Sequence, residues 1–194
     1  TANVSPVVTA DGRYIVFVLW QEGKKNIWRM NLDGSNPVQL TFGLSESFPS
    51  LSPDSRWVIY TALDGARPTL WRVSIDGGTP IKVTNHVATT STVSPDGKSI
   101  AFTYPESADP LASPNRVAIV PFEGGAPTKT YTIPLGGTVL TVIHWWSHDG
   151  NSILYTATTN NVTNIWSQPL DGGPPKQVTH FNDMLITGFA WSHD

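Results

Sequence analysis

The chain has 194 residues, 15 acidic against 12 basic for a net charge of −3, and no cysteine. That length suits one domain with a sizeable core. The charge is too mild to imply nucleic acid or an anionic membrane as partner, and the missing cysteine excludes disulfides, thiolate zinc sites and cysteine nucleophiles. The longest apolar stretches, residues 14–20 and 139–143, are far shorter than a membrane span.

Read in chain order, one phrase keeps returning. A loose copy opens the chain as Thr9-Ala10-Asp11-Gly12-Arg13-Tyr14-Ile15-Val16-Phe17. It recurs as Ser52-Pro53-Asp54-Ser55-Arg56-Trp57-Val58-Ile59-Tyr60, as Ser94-Pro95-Asp96-Gly97-Lys98-Ser99-Ile100-Ala101-Phe102 and as Ser147-His148-Asp149-Gly150-Asn151-Ser152-Ile153-Leu154-Tyr155. Another copy starts at Ser192-His193-Asp194. The aspartates at 11, 54, 96, 149 and 194 are spaced by 43, 42, 53 and 45 residues. A second phrase runs in step, in Asn26-Ile27-Trp28, Thr69-Leu70-Trp71 and Asn164-Ile165-Trp166, each followed by an Asp-Gly. Arg116-Val117-Ala118 is a degenerate copy without its tryptophan. A third phrase closes the units: Val38-Gln39-Leu40-Thr41, Ile81-Lys82-Val83-Thr84 and Lys176-Gln177-Val178-Thr179. A period of this size with four strands per repeat predicts an all-β fold, a β-propeller of four-stranded antiparallel blades. The blades fall at about 1–41, 42–84, 85–133 and 134–179, with the first strand of a fifth in 180–194.

The unit from 47 to 84 shows why each repeat makes four strands. Residues 48–52 form a short strand expected nearest the central axis. Ser52-Pro53-Asp54-Ser55 is a turn, with Pro presetting φ and Asp suited to hydrogen bonding its own backbone. Residues 57–61 are β-branched and aromatic. Residues 70–75 alternate apolar and polar, so one face should bury Leu70 or Trp71. Gly77-Gly78 is a hairpin tip, and Pro80 leads an outer strand, where a missing N–H does no harm. No segment has helical periodicity. Trp28, Trp71 and Trp166 share one position and are expected to pack between neighbouring blades.

Taken together, Ser-Pro-Asp-Gly, Ile-Trp with Leu-Asp-Gly, and Gln-Leu-Thr resemble the WD-type repeats of the TolB-like β-propeller family, over essentially the whole chain. The Gly-His and Trp-Asp signatures of true WD repeats are missing. The resemblance implies a non-enzymatic module placed in the periplasm or otherwise outside the cytoplasm, docking a protein partner at the mouth of its channel. Similar propellers are attached to sensor kinases, and others cap prolyl-oligopeptidase-type enzymes. Family rings have six blades. Four units plus one first strand fall short of that, so the chain is expected to be part of a longer propeller, opening within a repeat and lacking any leader. Bare blade faces and an unpaired strand over 187–192 favour self-association.

Several constellations look chemical and are not. Ser147-His148-Asp149 and Ser192-His193-Asp194 spell a hydrolase triad, but three consecutive residues of a tight turn do not assemble one. Gly77-Gly78, Gly124-Gly125 and Gly172-Gly173 lack the following Lys-Ser/Thr and the helix of a phosphate loop. His180, Asn182 and Asp183 have no spaced cluster of further metal ligands. The proline-rich insertion 105–114 reads as a surface loop. Glu46, His86, His144 and Asp183 are the binding candidates. Each lies on, or next to, a connection from an outer strand to the next inner one, and such loops cluster at one mouth of a propeller. The expected function is therefore a non-catalytic binding module without cofactor or metal. Its expected partner is another protein or a copy of itself, not nucleic acid and not a membrane interior. The alternatives are an accessory propeller of a peptidase and a self-assembling structural protein.

Overall fold

A computed structural model describes residues 6–105, 116–132 and 142–186. Those residues form sixteen strands and no helix. The strand expected over 187–192 lies outside the described residues, as does the insertion beyond Pro105. The first blade is β1 (Val7–Val8), β2 (Tyr14–Gln21), β3 (Lys24–Asn31) and β4 (Val38–Gln39). The second is β5 (Glu46–Leu51), β6 (Trp57–Asp64), β7 (Arg67–Ser74) and β8 (Ile81–Lys82). The third is β9 (Ser91–Val93), β10 (Ser99–Tyr104), β11 (Arg116–Pro121) and β12 (Lys129–Thr132). The fourth is β13 (Val142–Trp146), β14 (Ser152–Thr159), β15 (Val162–Pro169) and β16 (Lys176–Gln177). Each is one antiparallel sheet in chain order. The first strands β1, β5, β9 and β13 touch in succession, which puts them nearest the axis, so the architecture is a partial β-propeller.

The repeated turn explains the repeated phrase. Asp54 Oδ1 accepts from the Arg56 N–H at 3.1 Å and the Ser52 hydroxyl at 2.6 Å, and Ser52 Oγ accepts from the Trp57 N–H at 3.0 Å. Asp96 with Ser94 and Lys98, Asp149 with Ser147 and Asn151, and Asp11 with Thr9 and Arg13 repeat the pattern. The fourth turn position is left-handed in every copy, with φ of 68° at Gly12, 71° at Gly97 and 71° at Gly150. Ser55 keeps that conformation without being glycine, at φ 60°. Its hydroxyl accepts from the Ala10 N–H at 2.9 Å and so ties the second turn to the first.

The closing phrase has a similar cause. Thr41 Oγ1 accepts from the Ile27 N–H and Thr179 Oγ1 from the Ile165 N–H, each at 2.9 Å. Gln39 and Gln177 bond the carbonyls of those threonines at 2.8 and 2.7 Å. Both devices fasten a two-residue outer strand that would otherwise fray.

Three apolar clusters fill the spaces between neighbouring blades. Val16, Ile27 and Leu40 of the first blade meet Val58, Tyr60 and Val73 of the second. Ile59, Leu70 and Val83 meet Ile100, Phe102 and Ala118. Ala101, Val117 and Ile119 meet Trp146, Ile153 and Tyr155. Of the tryptophan column, Trp71 and Trp166 pack against these clusters as expected, but Trp28, Trp71 and Trp166 are all only half-buried. Ile27 and Leu70, one residue earlier, are fully buried instead. The third strands stand away from the axis, where blades splay. A large ring there covers the rim of the cluster while its branched neighbour fills the centre.

Polar staples complete all three junctions. Arg72 is buried, and its guanidinium lies 4.7 Å from the Trp57 ring centroid and 4.8 Å from that of Phe122. It donates to the Phe122 carbonyl at 3.2 Å and pairs with Glu123 on the third blade's hairpin. Arg29, Tyr14 and Asp76 repeat the set one blade earlier, with Arg29 stacked 4.3 Å over Tyr14 and 3.9 Å from Asp76. At the third junction Lys129 Nζ and the Tyr131 hydroxyl donate to the Leu170 carbonyl at 2.8 and 2.9 Å.

Candidate functional site

The fourth-to-first strand connections and the second-to-third strand hairpins emerge at the same end of the blades. The connection 42–45 is bonded to both neighbouring hairpins: Lys25 N–H donates to the Leu44 carbonyl and Leu63 N–H to the Ser45 carbonyl, each at 3.3 Å. This gathers Trp20, Leu44 and Leu63, because Trp20 is paired across its hairpin with Lys25. All three are exposed, together with Phe42 at 76 % and Leu44 itself at 73 %.

Glu46 holds this loop from beneath. It is only 4 % exposed. Its carboxylate accepts from the Gly43 N–H at 3.1 Å, the Asn26 side-chain amide at 3.0 Å and the Thr41 hydroxyl. A Cβ on Gly43 would stand 2.7 Å from Glu46 Oε1, so a larger residue there would displace the carboxylate. Burial, then the nearby Glu46 charge, push the Tyr60 phenol well above its ordinary value. In the fourth blade Asn164 takes over the role. It accepts from the Thr179 hydroxyl at 3.0 Å and the Phe181 N–H at 2.8 Å.

The inner strand of the second blade is broken beside this loop. Its pairing with β6 shifts between Ser47 and Ser50. Phe48, within the bulge, has φ 53°, a strained conformation for a bulky residue. The bulge leaves the Phe48 side chain exposed. The inner strand of the fourth blade shifts register at the corresponding place, between Ile143 and Trp145, which makes His144 the extra residue.

The other expected residues lie along the same end. His86 follows Thr84, whose hydroxyl accepts its N–H at 3.1 Å, and its ring sits 6.3 Å from that of Tyr104. Asp183 is exposed in the connection after β16, beside exposed Met184 and Leu185. Glu46 and the apolar loop are brought together by direct bonds. His86 and Asp183 belong to connections of other blades, without a bond to Glu46. Among the described residues no group of three or more acidic or histidine side chains is placed to hold a metal ion. The apolar members Trp20, Phe42, Leu44, Phe48 and Leu63 were not singled out from the sequence. The available signal was Phe42-Gly43-Leu44, an apolar pair in a connection that should be polar.

No protein-family model matches the chain, and no curated protein matches it in sequence. Solved structures do match. TolB from Acinetobacter baumannii superposes with a TM-score of 0.71 at 22 % identity, over 88 % of this chain and 41 % of that one. A putative TolB from Agrobacterium tumefaciens gives 0.71 at 18 %, over 89 % and 63 %. The β-propeller domain of the Trilobed protease from Pyrococcus furiosus gives 0.60 at 12 %, over 94 % and 58 %. The class is thus a β-propeller, and its fold is TolB-like. The chain spans less than two thirds of each of those chains.

Proposed function

We propose that the chain is a non-catalytic binding module that engages a protein partner, outside the cytoplasm, through the end of the blades carrying the 42–45 connection. The observation behind this reading is the exposed apolar set of Trp20, Phe42, Leu44, Phe48 and Leu63 on one rim. Contiguous exposed apolar side chains mark interaction surfaces, and a strained bulge maintained at such a place suggests use. Glu46 acts as the positioning residue of the rim, while His86 and Asp183 supply its polar border. The fold likeness to TolB supports a binding role. The match to the Trilobed protease propeller supports a second reading, an accessory propeller of a peptidase.

Site-specific photocrosslinking from position 42 or 44 in cells tests the proposal, with position 35 on a hairpin at the opposite end as control. One discrete protein adduct from 42 and 44 and none from 35 is expected, lost on Leu44→Glu. Equal labelling from both ends would sink it. An adduct with a peptidase domain would favour the second reading.

A further inference from the structure

At the opposite end of the blades, a cavity of about 340 Å³ opens between the repeated turns of the second and third blades and the hairpin 122–123. Trp57, Phe122 and Pro95 are among its walls, and Asp54, Asp96 and Glu123 bring three carboxylates to it. No lysine, arginine or histidine is among the described residues that line it.

The carboxylates are held charged. Ser94 and the Lys98 N–H hold Asp96 below the ordinary range, and Arg72 does the same for Glu123. Burial raises Asp54, but the Ser52 hydroxyl and the Arg56 N–H outweigh it. The hydrogen bonds of both turns end on Oδ1 of each aspartate. Arg56, mostly exposed and 3.9 Å from Asp54, compensates little.

A separate observation concerns the rings. Trp57 and Phe122 meet edge to face with centroids 6.3 Å apart. They already carry one guanidinium, that of Arg72, at 4.7 and 4.8 Å. A guanidinium stacked on these rings and paired with Glu123 is therefore an arrangement this junction demonstrably supports. Arg72 is the cation of these rings and of Glu123; the cavity adds Asp54 and Asp96, with no lysine, arginine or histidine among its lining residues.

We propose that this cavity binds the arginine or lysine side chain of a basic peptide segment. The volume is at the lower end for ligand sites, about 300–1,000 Å³, and so fits one side chain better than a whole small molecule. The dispersed acids suit an extended organic cation rather than a chelated metal ion. The neighbouring junctions offer less. The first has Tyr14 where the second has Trp57, and the third has Ser99 there.

The probe is a fluorescein-labelled Gly-Arg-Gly peptide, with its citrulline counterpart as the neutral control. Anisotropy is expected to show saturable binding of the arginine peptide alone, weakening with salt. The double variant Asp54→Asn, Asp96→Asn keeps both Oδ1 acceptors and should bind about ten-fold more weakly. Asp33→Asn, on a distant hairpin, should bind as the parent does. In the unsubstituted protein, the Trp57 indole N–H resonance should shift with the same titration, which removes any dependence on the variants folding. Leu44→Glu should leave the titration unchanged, so failure of the proposed partner surface and failure of this site are separable. Binding of citrulline and arginine peptides alike, equal weakening by Asp33→Asn, or a silent Trp57 resonance would each overturn the proposal.

Discussion

The first and second blades present the same face in the same register, yet among the described residues only the second blade's joins a core cluster. Val58, Tyr60, Trp71, Val73 and Ile75 of the second blade pack against the first. Ile15, Phe17, Trp28, Met30 and Leu32 occupy the corresponding positions of the first blade, 43 residues earlier. None of these five belongs to a core cluster of the described residues. The last pair shows the contrast best: Ile75 is 5 % exposed and Leu32 is 56 %. A blade is thus made as a two-faced unit, and its outward face becomes core only when another blade lies on it.

The largest expected effect tests that contrast directly. Tyr60→Ala should cost about 3–5 kcal/mol, as large buried rings do, while Phe17→Ala should cost less than about 1 kcal/mol. Urea denaturation at low protein concentration measures both. Equal costs would mean that the first face is covered in solution. Raising the concentration then separates the causes: a second copy on that face would make the Phe17→Ala deficit concentration-dependent. Trp71→Ala falls between, at about 1–3 kcal/mol, because the ring is half-buried.

Hairpin glycines sharpen the comparison at smaller scale. Gly34 on the first blade and Gly124 on the third both have left-handed φ, 85° and 96°. A Cβ at Gly34 meets nothing within 4 Å, whereas one at Gly124 would stand 2.7 Å from the Val83 carbonyl of the second blade. Alanine at either position carries the backbone cost of about 1–2 kcal/mol. Only Gly124→Ala should add the displacement of a neighbouring blade, about 1 kcal/mol or more beyond Gly34→Ala. Matching melting shifts for the two variants would show that the third blade's hairpin does not press on the second in solution.

The architecture was readable because its signals are local and repeated. Asp54, Asp96 and Asp149 bond their own turns as their phrase implies. What could not be read depends on partners distant in sequence. Arg72 meets Glu123 across 51 positions, and nothing near Arg72 announces a buried guanidinium. Glu46 was picked out as a connector residue, but its burial depends on Asn26, 20 positions away. The bulge at Phe48 has no turn-forming signature beyond Pro49. The tryptophan column packs between blades at Trp71 and Trp166, but its depth was not readable: period-two alternation tells which residues share a face, not how far from the axis two faces part.

The smallest effect concerns acid. Four turn carboxylates are held below their ordinary range. The Thr9 hydroxyl, then the Arg13 N–H and side chain, bring Asp11 to about 2. Ser94 and Ser147 lower Asp96 and Asp149, and Asp54 follows despite its partial burial. A carboxyl whose folded value is depressed contributes stability above its unfolded value of about 3.9, and loses it as pH falls towards the folded value. The melting temperature should therefore be flat in this respect above about pH 5 and decline from there towards about pH 2. Asparagine keeps the Oδ1 acceptor but does not titrate. Asp54→Asn and Asp96→Asn, at covered junctions, should each remove part of the global slope. Asp11→Asn alters a turn on the first blade, whose outward face lies outside every core cluster of the described residues. If that blade opens by itself in acid, Asp11→Asn will change hydrogen-exchange protection of β2 without changing the slope measured at β10. If β2 and β10 lose protection together in all three variants, the four blades melt as one unit, and the first blade's outward face does not make it the weakest.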